Sequence, residues 1–436
     1  MENMGESEAS GDFLSADEAA RRLGVRRATL YAYVSRGWLE SVPGRGRSRL
    51  YSSADVERLR ARSEARSGHG PVAAAALRWG EPVIASKITA ITAEGPRYRG
   101  QRVTSLVAKG VSYESVAELL WRAELATEAA EPWACGRLGV ALRRLEAGLP
   151  EAAEPLDVLR LALPVVGAKE GTVGLGISAE EALAPGLIAR LAALCGLASG
   201  PERVRGAAAE RGLARILAHA LGGAKLAADR RRVALVEAAL VLSADHGLNT
   251  STFAARVVAS TGADLFACLI AGICALSGPL HGGACRRVEG LLDEALSLER
   301  AAQVVRLRGA RGEAVPGFGH ALYPDGDPRT VALLELAARG GSGGAALRTM
   351  RAIAEAMADA GHPAPTLDFG LVAVAESLSL PRGSATALFA IGRSAGWVAH
   401  IIEERRQGFL LRPTARYVGP GAVEIGADKR SRDGHA

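Results

Sequence analysis

Apolar positions recur at helical spacing along most of this 436-residue chain. Near the start, Ser15-Ala16-Asp17-Glu18 reads as a capping box, with Ser15 as N-cap and Glu18 reaching back to it. Ala19, Ala20 and Leu23 supply the buried stripe, and Gly24 ends the helix. A second helix over 26–36 turns Leu30 and Val34 to the first. Arg26, Arg27, Thr29, Tyr31 and Tyr33 are left outward or sideways. Pro43-Gly44-Arg45-Gly46-Arg47-Ser48-Arg49-Leu50-Tyr51 predicts an arginine-studded hairpin, after which Ser52 or Ser53 caps a third helix carrying Val56 and Leu59. Residues 63–78 predict a linker entering a helix, with His69 exposed in it.

From about Trp79 the pattern changes. Residues 83–91, with Thr89, Gly95, Tyr98 and Gly100, predict a short β-hairpin. Beyond it run Ala/Leu-rich amphipathic helices broken by glycine and proline, among them 116–125, 156–163, 179–184 and 187–194. Leu265–Leu276 is the strongly apolar part of the longest uncharged run. It is too short to span a bilayer and predicts a buried helix. Gly340-Gly341-Ser342-Gly343-Gly344 predicts a flexible connection; it follows no strand and so is no phosphate loop.

Composition sharpens this into a mainly α protein. The chain is 48% hydrophobic but only 4% aromatic, so its core must be built from Ala, Leu and Val, which favours packed helices over sheet. The five cysteines are scattered without metal-ligand spacing, which points to free thiols in a reducing compartment. The polar, acidic start carries no secretory signal, and a soluble, cytoplasmic protein with no membrane partner is expected. Charge is uneven. From Arg21 to Arg66 twelve arginines face four carboxylates, so this segment is +8 in a chain of net +6. The positive charge therefore belongs to the front module, as in a nucleic-acid-binding domain, although a basic segment is also compatible with a solvated face.

Helix, turn, helix, basic hairpin and helix in this order resemble the MerR/excisionase type of winged helix-turn-helix over about residues 13–62. The resemblance implies that the second helix enters the major groove and the wing lies on phosphates. Arg26, Arg27, Thr29, Tyr31, Arg45, Arg47 and Arg49 are the expected DNA contacts. A small helical protein-docking module is the alternative.

The chemistry-bearing residues lie further on. Val315-Pro316-Gly317-Phe318-Gly319-His320 joins a glycine-rich loop to a histidine, with Asp327-Pro328-Arg329 just after it. The glycines let backbone approach a ligand, the histidine can move a proton near neutral pH, and the arginine offers a fork that fits a carboxylate. Gly278-Pro279-Leu280-His281-Gly282-Gly283-Ala284 repeats the theme, and Pro365-Thr366-Leu367-Asp368-Phe369 adds a carboxylate. Two more segments complete the series: Ala244-Asp245-His246-Gly247-Leu248-Asn249-Thr250-Ser251-Thr252-Phe253-Ala254-Ala255-Arg256 and Arg393-Ser394-Ala395-Gly396-Trp397-Val398-Ala399-His400-Ile401-Ile402-Glu403, followed by Arg412-Pro413. GxGxxG with an acidic partner, Walker and HExxH motifs are missing, which argues against several common enzyme classes.

Taken singly, His281 and His320 fit structural histidines, Arg329 and Arg393 fit salt-bridge partners, and Asp368 fits a helix cap. Together and in this order the five segments resemble the citrate synthase family, from about Ile88 to Tyr417. The resemblance implies a two-domain helical fold and condensation of an acyl-CoA with oxaloacetate, acetyl-CoA giving citrate or propionyl-CoA giving 2-methylcitrate. It implies Asp368 as the base, His281 as the holder of the thioester oxygen, and His320 as the proton donor to the ketone. His246, Arg329, Arg393 and Arg412 would bind oxaloacetate, Arg412 from the neighbouring subunit of a homodimer with shared active sites. Val315, Gly317 and Gly319 would contact CoA, which enters as a substrate; no metal and no other cofactor is implied. His400 is expected to pack beside Trp397.

The expected domains are a winged helix-turn-helix over 13–66, a linker over 67–78, a large domain over 79–277 with 385–425, and a small domain over 278–384. The chain also departs from the family. Ser243 and Gly247 stand where a histidine and a glutamate are usual, Cys285-Arg286 where Asn-Glu is usual, and Thr366 where an asparagine precedes the base. Ala321 and Pro324 occupy positions that commonly hold cations suited to CoA phosphates. Two functions follow from this pattern: an active synthase, or a DNA-binding regulator whose synthase-like body senses a metabolite.

Overall fold

The computed structural model describes residues 13–35, 39, 41–44, 48–53, 55, 56, 59, 84–170, 174–295, 297–340 and 344–413. The chain divides into two units, Met1–Ala85 and Ser86–Ala436. The predicted linker over 67–78, His69, and everything beyond Pro413 lie outside the described residues.

In the first unit α1 (Ala16–Leu23) starts on the predicted capping box, with Ser15 accepting from the Glu18 N–H and Glu18 reaching back, and it ends at Gly24 with φ of 64°. Helix α2 (Arg27–Ser35) follows. Strands β2 (Ser41–Pro43) and β3 (Arg49–Ser52) form the predicted hairpin, with Val42 opposite Leu50. A strand the pattern did not reveal, β1 (Phe13–Ser15), pairs on the other edge of β3. Three residues are too few to display alternation. The Ser52 hydroxyl accepts from the Asp55 N–H at 3.4 Å, and Val56 and Leu59 lie in helical turns beyond it. Leu14, Ala19, Leu23, Leu30, Leu39, Tyr51, Val56 and Leu59 make this unit's own core.

The second unit opens with the predicted hairpin, β4 (Thr89–Thr92) and β5 (Gly95–Tyr98), extended by β6 (Gln101–Arg102). Its helices include α3 (Tyr113–Arg122), α4 (Ile177–Leu194), α5 (Arg230–Ser243), α6 (Thr250–Ser260), α7 (Leu265–Leu276), α8 (Gly283–Ala295), α9 (Pro328–Gly340), α10 (Leu367–Ser377) and α11 (Ser384–Gln407). Helix α4 runs through Pro185, where a break between two helices is expected from sequence. Burial of Leu187, Ile188, Leu191 and Leu194 on one continuous element outweighs the one backbone bond that proline removes. The apolar α7 is buried, as predicted. Among the described residues two helices have the length and apolarity to cross a membrane, 177–199 and 384–407, but their apolar windows are 67% and 100% buried within the protein.

Helix α11 is the axis of this unit, buried on all sides over most of its length. Tyr113 and Trp121 of α3 donate to its Gly392 and Ala395 carbonyls at 2.8 and 2.9 Å. Gly396 lets it approach the end of α5: the Gly396 N–H donates to the Ala244 carbonyl at 3.0 Å, and a Cβ at this position would collide with that same oxygen. This approach sets Arg393 beside the turn that carries His246.

Candidate active site

Four connections converge here. The turn between α5 and α6 is held by Asp245, whose Oδ2 accepts from the Gly247 N–H at 2.9 Å, and by Tyr98, whose hydroxyl accepts from the Asp245 N–H at 3.1 Å. Asn249 then caps α6 by accepting from Thr252. The second connection, 278–282, leads into α8. The third carries Val315 to His320 and lies against the fourth, 363–366. There the Gly319 N–H donates to Ala364, the Thr366 N–H donates to Gly317, and Phe318 pairs with Pro365. Gly317 has φ of +83°, and a Cβ there would sit 2.6 Å from Val288. Only glycine lets this loop close onto α8 and α10. That closure brings the His320 loop to the start of α10, where Asp368 lies in the first turn.

On one side, His246, His320, Tyr323, Arg329 and Arg393 come together. His246 Nε2 is 2.9 Å from the Tyr323 hydroxyl, and the His246 and His320 rings are 5.7 Å apart, edge to face. His320 Nδ1 accepts from the Leu322 N–H at 3.1 Å. The neutral ring therefore carries its proton on Nε2 and can donate it. Asp327 grips Arg329 through Nε at 3.0 Å and Nη2 at 2.6 Å. Arg393 donates from Nε to the Ser243 carbonyl at 2.8 Å and lies over the Phe389 ring. Both guanidiniums are buried, and in each Nη1 has no partner. Burial, then Arg329 and Arg393, push the His246 pKa well below its usual value. Burial, then Arg329, lowers that of His320. The cluster thus presents neutral imidazoles and two cations with unused donors, a setting for a small anion with more than one carboxylate.

On the other side are His281, Ser251, Trp397, Asp368 and Cys285. Phe389 joins the two sides, its ring centre 5.6 Å from that of His281. His281 Nε2 is 2.8 Å from the Ser251 hydroxyl, which accepts from the Trp397 indole at 3.2 Å and lies 2.9 Å from Asn249 Oδ1. That hydroxyl has one proton for two acceptors. Nδ1 is the imidazole nitrogen that remains for a ligand. Burial, then Arg393, lowers the His281 pKa to about 4, so the ring is neutral at pH 7. Burial raises the Asp368 carboxyl above its usual range, against the lowering effect of its hydrogen bond from Cys285.

The chain matches the family described as citrate synthase, C-terminal domain, over residues 76–414. The chain belongs to the citrate synthase family. It is 34% identical to a citrate synthase of Mycolicibacterium smegmatis over 339 residues, covering 74% of this chain and 88% of that protein. A 2-methylcitrate synthase of Mycobacterium tuberculosis is also 34% identical, over 74% of this chain and 84% of its own length. Putative citrate synthase 2 of Mycobacterium tuberculosis is 43% identical over 202 residues, and the match spans about half of that relative, 53%. Among solved structures, citrate synthase from Thermotoga maritima superposes with a TM-score of 0.66 at 28% identity, over 81% of this chain and 98% of that one. Residues 13–63 match a helix-turn-helix domain.

Within this citrate synthase family body, His246, His281, His320, Arg329, Asp368 and Arg393 gather in one place. Val315, Gly317 and Gly319 form the loop against α8 and α10, with Val315 buried. Arg412 is different: it is exposed, just past the point where the Leu411 N–H donates to Ser260. Ala321 and Pro324 are exposed too. Sequence reasoning missed the part played by Tyr323, Phe389 and Ser251. Tyr323 lies inside the motif that carries His320 and was legible in principle; Phe389 lies outside the five segments. His400 is buried beside Trp397, as expected, but it also links Arg256 Nη1, 3.1 Å away, to Asp245, 3.5 Å away.

In the first unit Arg26, Tyr31 and Arg49 are exposed, Thr29 is half-buried, and Arg27 is ion-paired with Asp17. Arg45 and Arg47 lie outside the described residues.

Proposed function

We propose that this protein condenses an acyl-CoA, acetyl-CoA or propionyl-CoA, with oxaloacetate. The observation that carries this reading is the pair of buried Nη1 atoms on Arg329 and Arg393, unpaired beside three neutral histidines. A buried donor left unsatisfied costs about 1–3 kcal/mol, a cost that a dicarboxylate would relieve. In the reaction, Asp368 takes a proton from the carbon next to the thioester carbonyl. The electron pair moves to the thioester oxygen, held by His281 Nδ1–H. The resulting enol carbon bonds to the ketone carbon of oxaloacetate, whose oxygen takes the Nε2 proton of His320. Water then cleaves the thioester to release CoA. His246, Arg329 and Arg393 hold oxaloacetate, and the loop with Val315, Gly317 and Gly319 receives CoA. Coenzyme A enters only as part of the substrate, and no step draws on a metal.

Three further features belong to this reading. Residues 79–277 with 385–425 act as a large domain and 278–384 as a small one. His281, His320 and Asp368 then close on His246 and Arg393 and exclude water during condensation. Arg412 reaches the site of a second copy in a homodimer, which its exposure in the single chain supports. The first unit binds DNA through α2 and the basic wing, which the helix-turn-helix match and the exposed Arg26 and Arg49 support. A second reading, a DNA-binding sensor of oxaloacetate or acyl-CoA, is favoured by the loss of cations at Ala321 and Pro324.

Release of free thiol from acetyl- or propionyl-CoA with oxaloacetate separates the two readings. The synthase reading expects turnover that Asp368→Ala lowers roughly 10²–10⁴-fold with the fold intact; no release with either thioester would sink it. DNA affinity should fall steeply as salt rises, and salt-independent binding would count against the arginine–phosphate mode.

A further inference from the structure

Resting on the synthase reading above, the surroundings of the base point further. Two positions that in this family usually carry asparagine side chains are Cys285 and Thr366 here. Both touch Asp368. The Cys285 thiol, third residue of α8 and fully buried, donates to Oδ1 at 3.3 Å, and the Thr366 hydroxyl lies 3.5 Å from Oδ2. The first contact crosses 83 residues of sequence and joins two helices, so it fixes where the carboxylate sits on the floor of the site. The second is long and weak.

We propose that Cys285 is a positioning residue for Asp368: its thiol holds Oδ1 and leaves Oδ2 as the oxygen that takes the proton from the thioester. A thiol is a weaker donor than an amide N–H. A donor bonded to the charged form stabilises the carboxylate and lowers its basicity. A thiol therefore orients the carboxylate while sparing more of its basicity than an amide would. The other charged groups facing Asp368 are Arg329 of α9 and Arg287 of α8, and Glu289 of α8 faces the thiol. Thr386 of α11 lies against the sulfur. The site is too closed for this thiol to act as a nucleophile: burial, then Asp368, raises its pKa well above the usual value.

The test compares Cys285→Ala, which has no donor, with Cys285→Ser, which keeps one and is nearly isosteric. Cys285→Ala should lower kcat roughly two- to tenfold, the worth of one modest hydrogen bond. The acid limb of its kcat profile should move to higher pH, with KM for oxaloacetate unchanged. Cys285→Ser should recover most of kcat and move the acid limb to lower pH. An unaltered acid limb in both folded variants would overturn the proposal. A second readout needs no turnover. The S–H stretching band of Cys285, identified by its loss in Cys285→Ala, should shift when Asp368→Asn replaces the charged acceptor. A band that does not shift overturns the thiol–carboxylate bond. A band that shifts in a wild type without turnover overturns the synthase reading alone.

Discussion

The two sides of the site differ in how far they are built before any ligand arrives. On the side proposed for oxaloacetate, Arg329 and Arg393 are buried, each already gripped by one partner and each with a nitrogen to spare. On the side proposed for the acyl-CoA, the positions suited to phosphate-binding cations are an exposed alanine and proline. The first side is a charged, desolvated pocket, and the second a loop that offers backbone and apolar surface. A buried charge is hard to replace because its partners would be left unpaired. An exposed contact to a flexible, solvated phosphate contributes little and can drift. The reaction centre can therefore stay complete while the grip on the second substrate changes.

The largest test of this contrast is Arg393→Gln. It removes a charged donor from the dicarboxylate side but keeps an amide that can reach the Ser243 carbonyl. The dissociation constant for oxaloacetate, read by calorimetry, should rise roughly 10- to 100-fold, the worth of a hydrogen bond to a charged group. KM for the acyl-CoA should stay within about twofold. Equal losses for both substrates would break the contrast, because the arginine would then be holding the whole site together.

A smaller effect tests the link between the two sides. Burial, then Arg393, lowers the His281 pKa from 6.5 to about 4. An imidazole whose folded pKa lies below its unfolded value contributes fully above pH ~6.5, and that contribution is lost as pH falls toward about 4, because the unfolded chain binds the proton more readily. Chemical denaturation of wild type should therefore lose more stability between neutral pH and pH ~4 than that of His281→Asn. The gap should be on the order of 1–3 kcal/mol. Parallel pH curves would mean that His281 is not desolvated by this environment, and its role as a neutral donor would fall with it.

Much of this was legible before any coordinates, for a physical reason. A residue proposed to do chemistry on a loop stands out where glycines or prolines surround it, and that combination is visible in sequence at His281 and His320. The capping box at Ser15 and the hairpin at Thr89 were legible because each is local. What escaped was non-local. Phe389 lies on α11 among apolar residues and looks like core, although it packs between His281 and Arg393. Ser251 reads as one of several hydroxyls at the start of α6, yet it meets three partners that arrive from the α6 cap, the 278–282 turn and α11. Pro185 reads as a break but lies within a helix whose burial outweighs it. Cys285 reads as a substitution; only the packing of α8 on α10 shows that it touches Asp368.

The smallest expected effect restores what the loop lacks. Ala321→Arg or Pro324→Lys puts a cation back on an exposed position, where an ion pair is worth about 0.2–1 kcal/mol. KM for acetyl-CoA should fall only about two- to fivefold, and the gain should fade as salt screens it. A truncated acyl-pantetheine without phosphates should show no gain, since nothing is left for the cation to meet. Oxaloacetate binding should not move, because His320 keeps its backbone partner at Leu322, Arg329 lies against the Tyr323 ring and Arg393 against Phe389. If the added cation instead tightened acetyl-CoA a hundredfold, the loop would have to be desolvated in the working enzyme. The contrast between a built side and an open side would then belong to the empty protein alone.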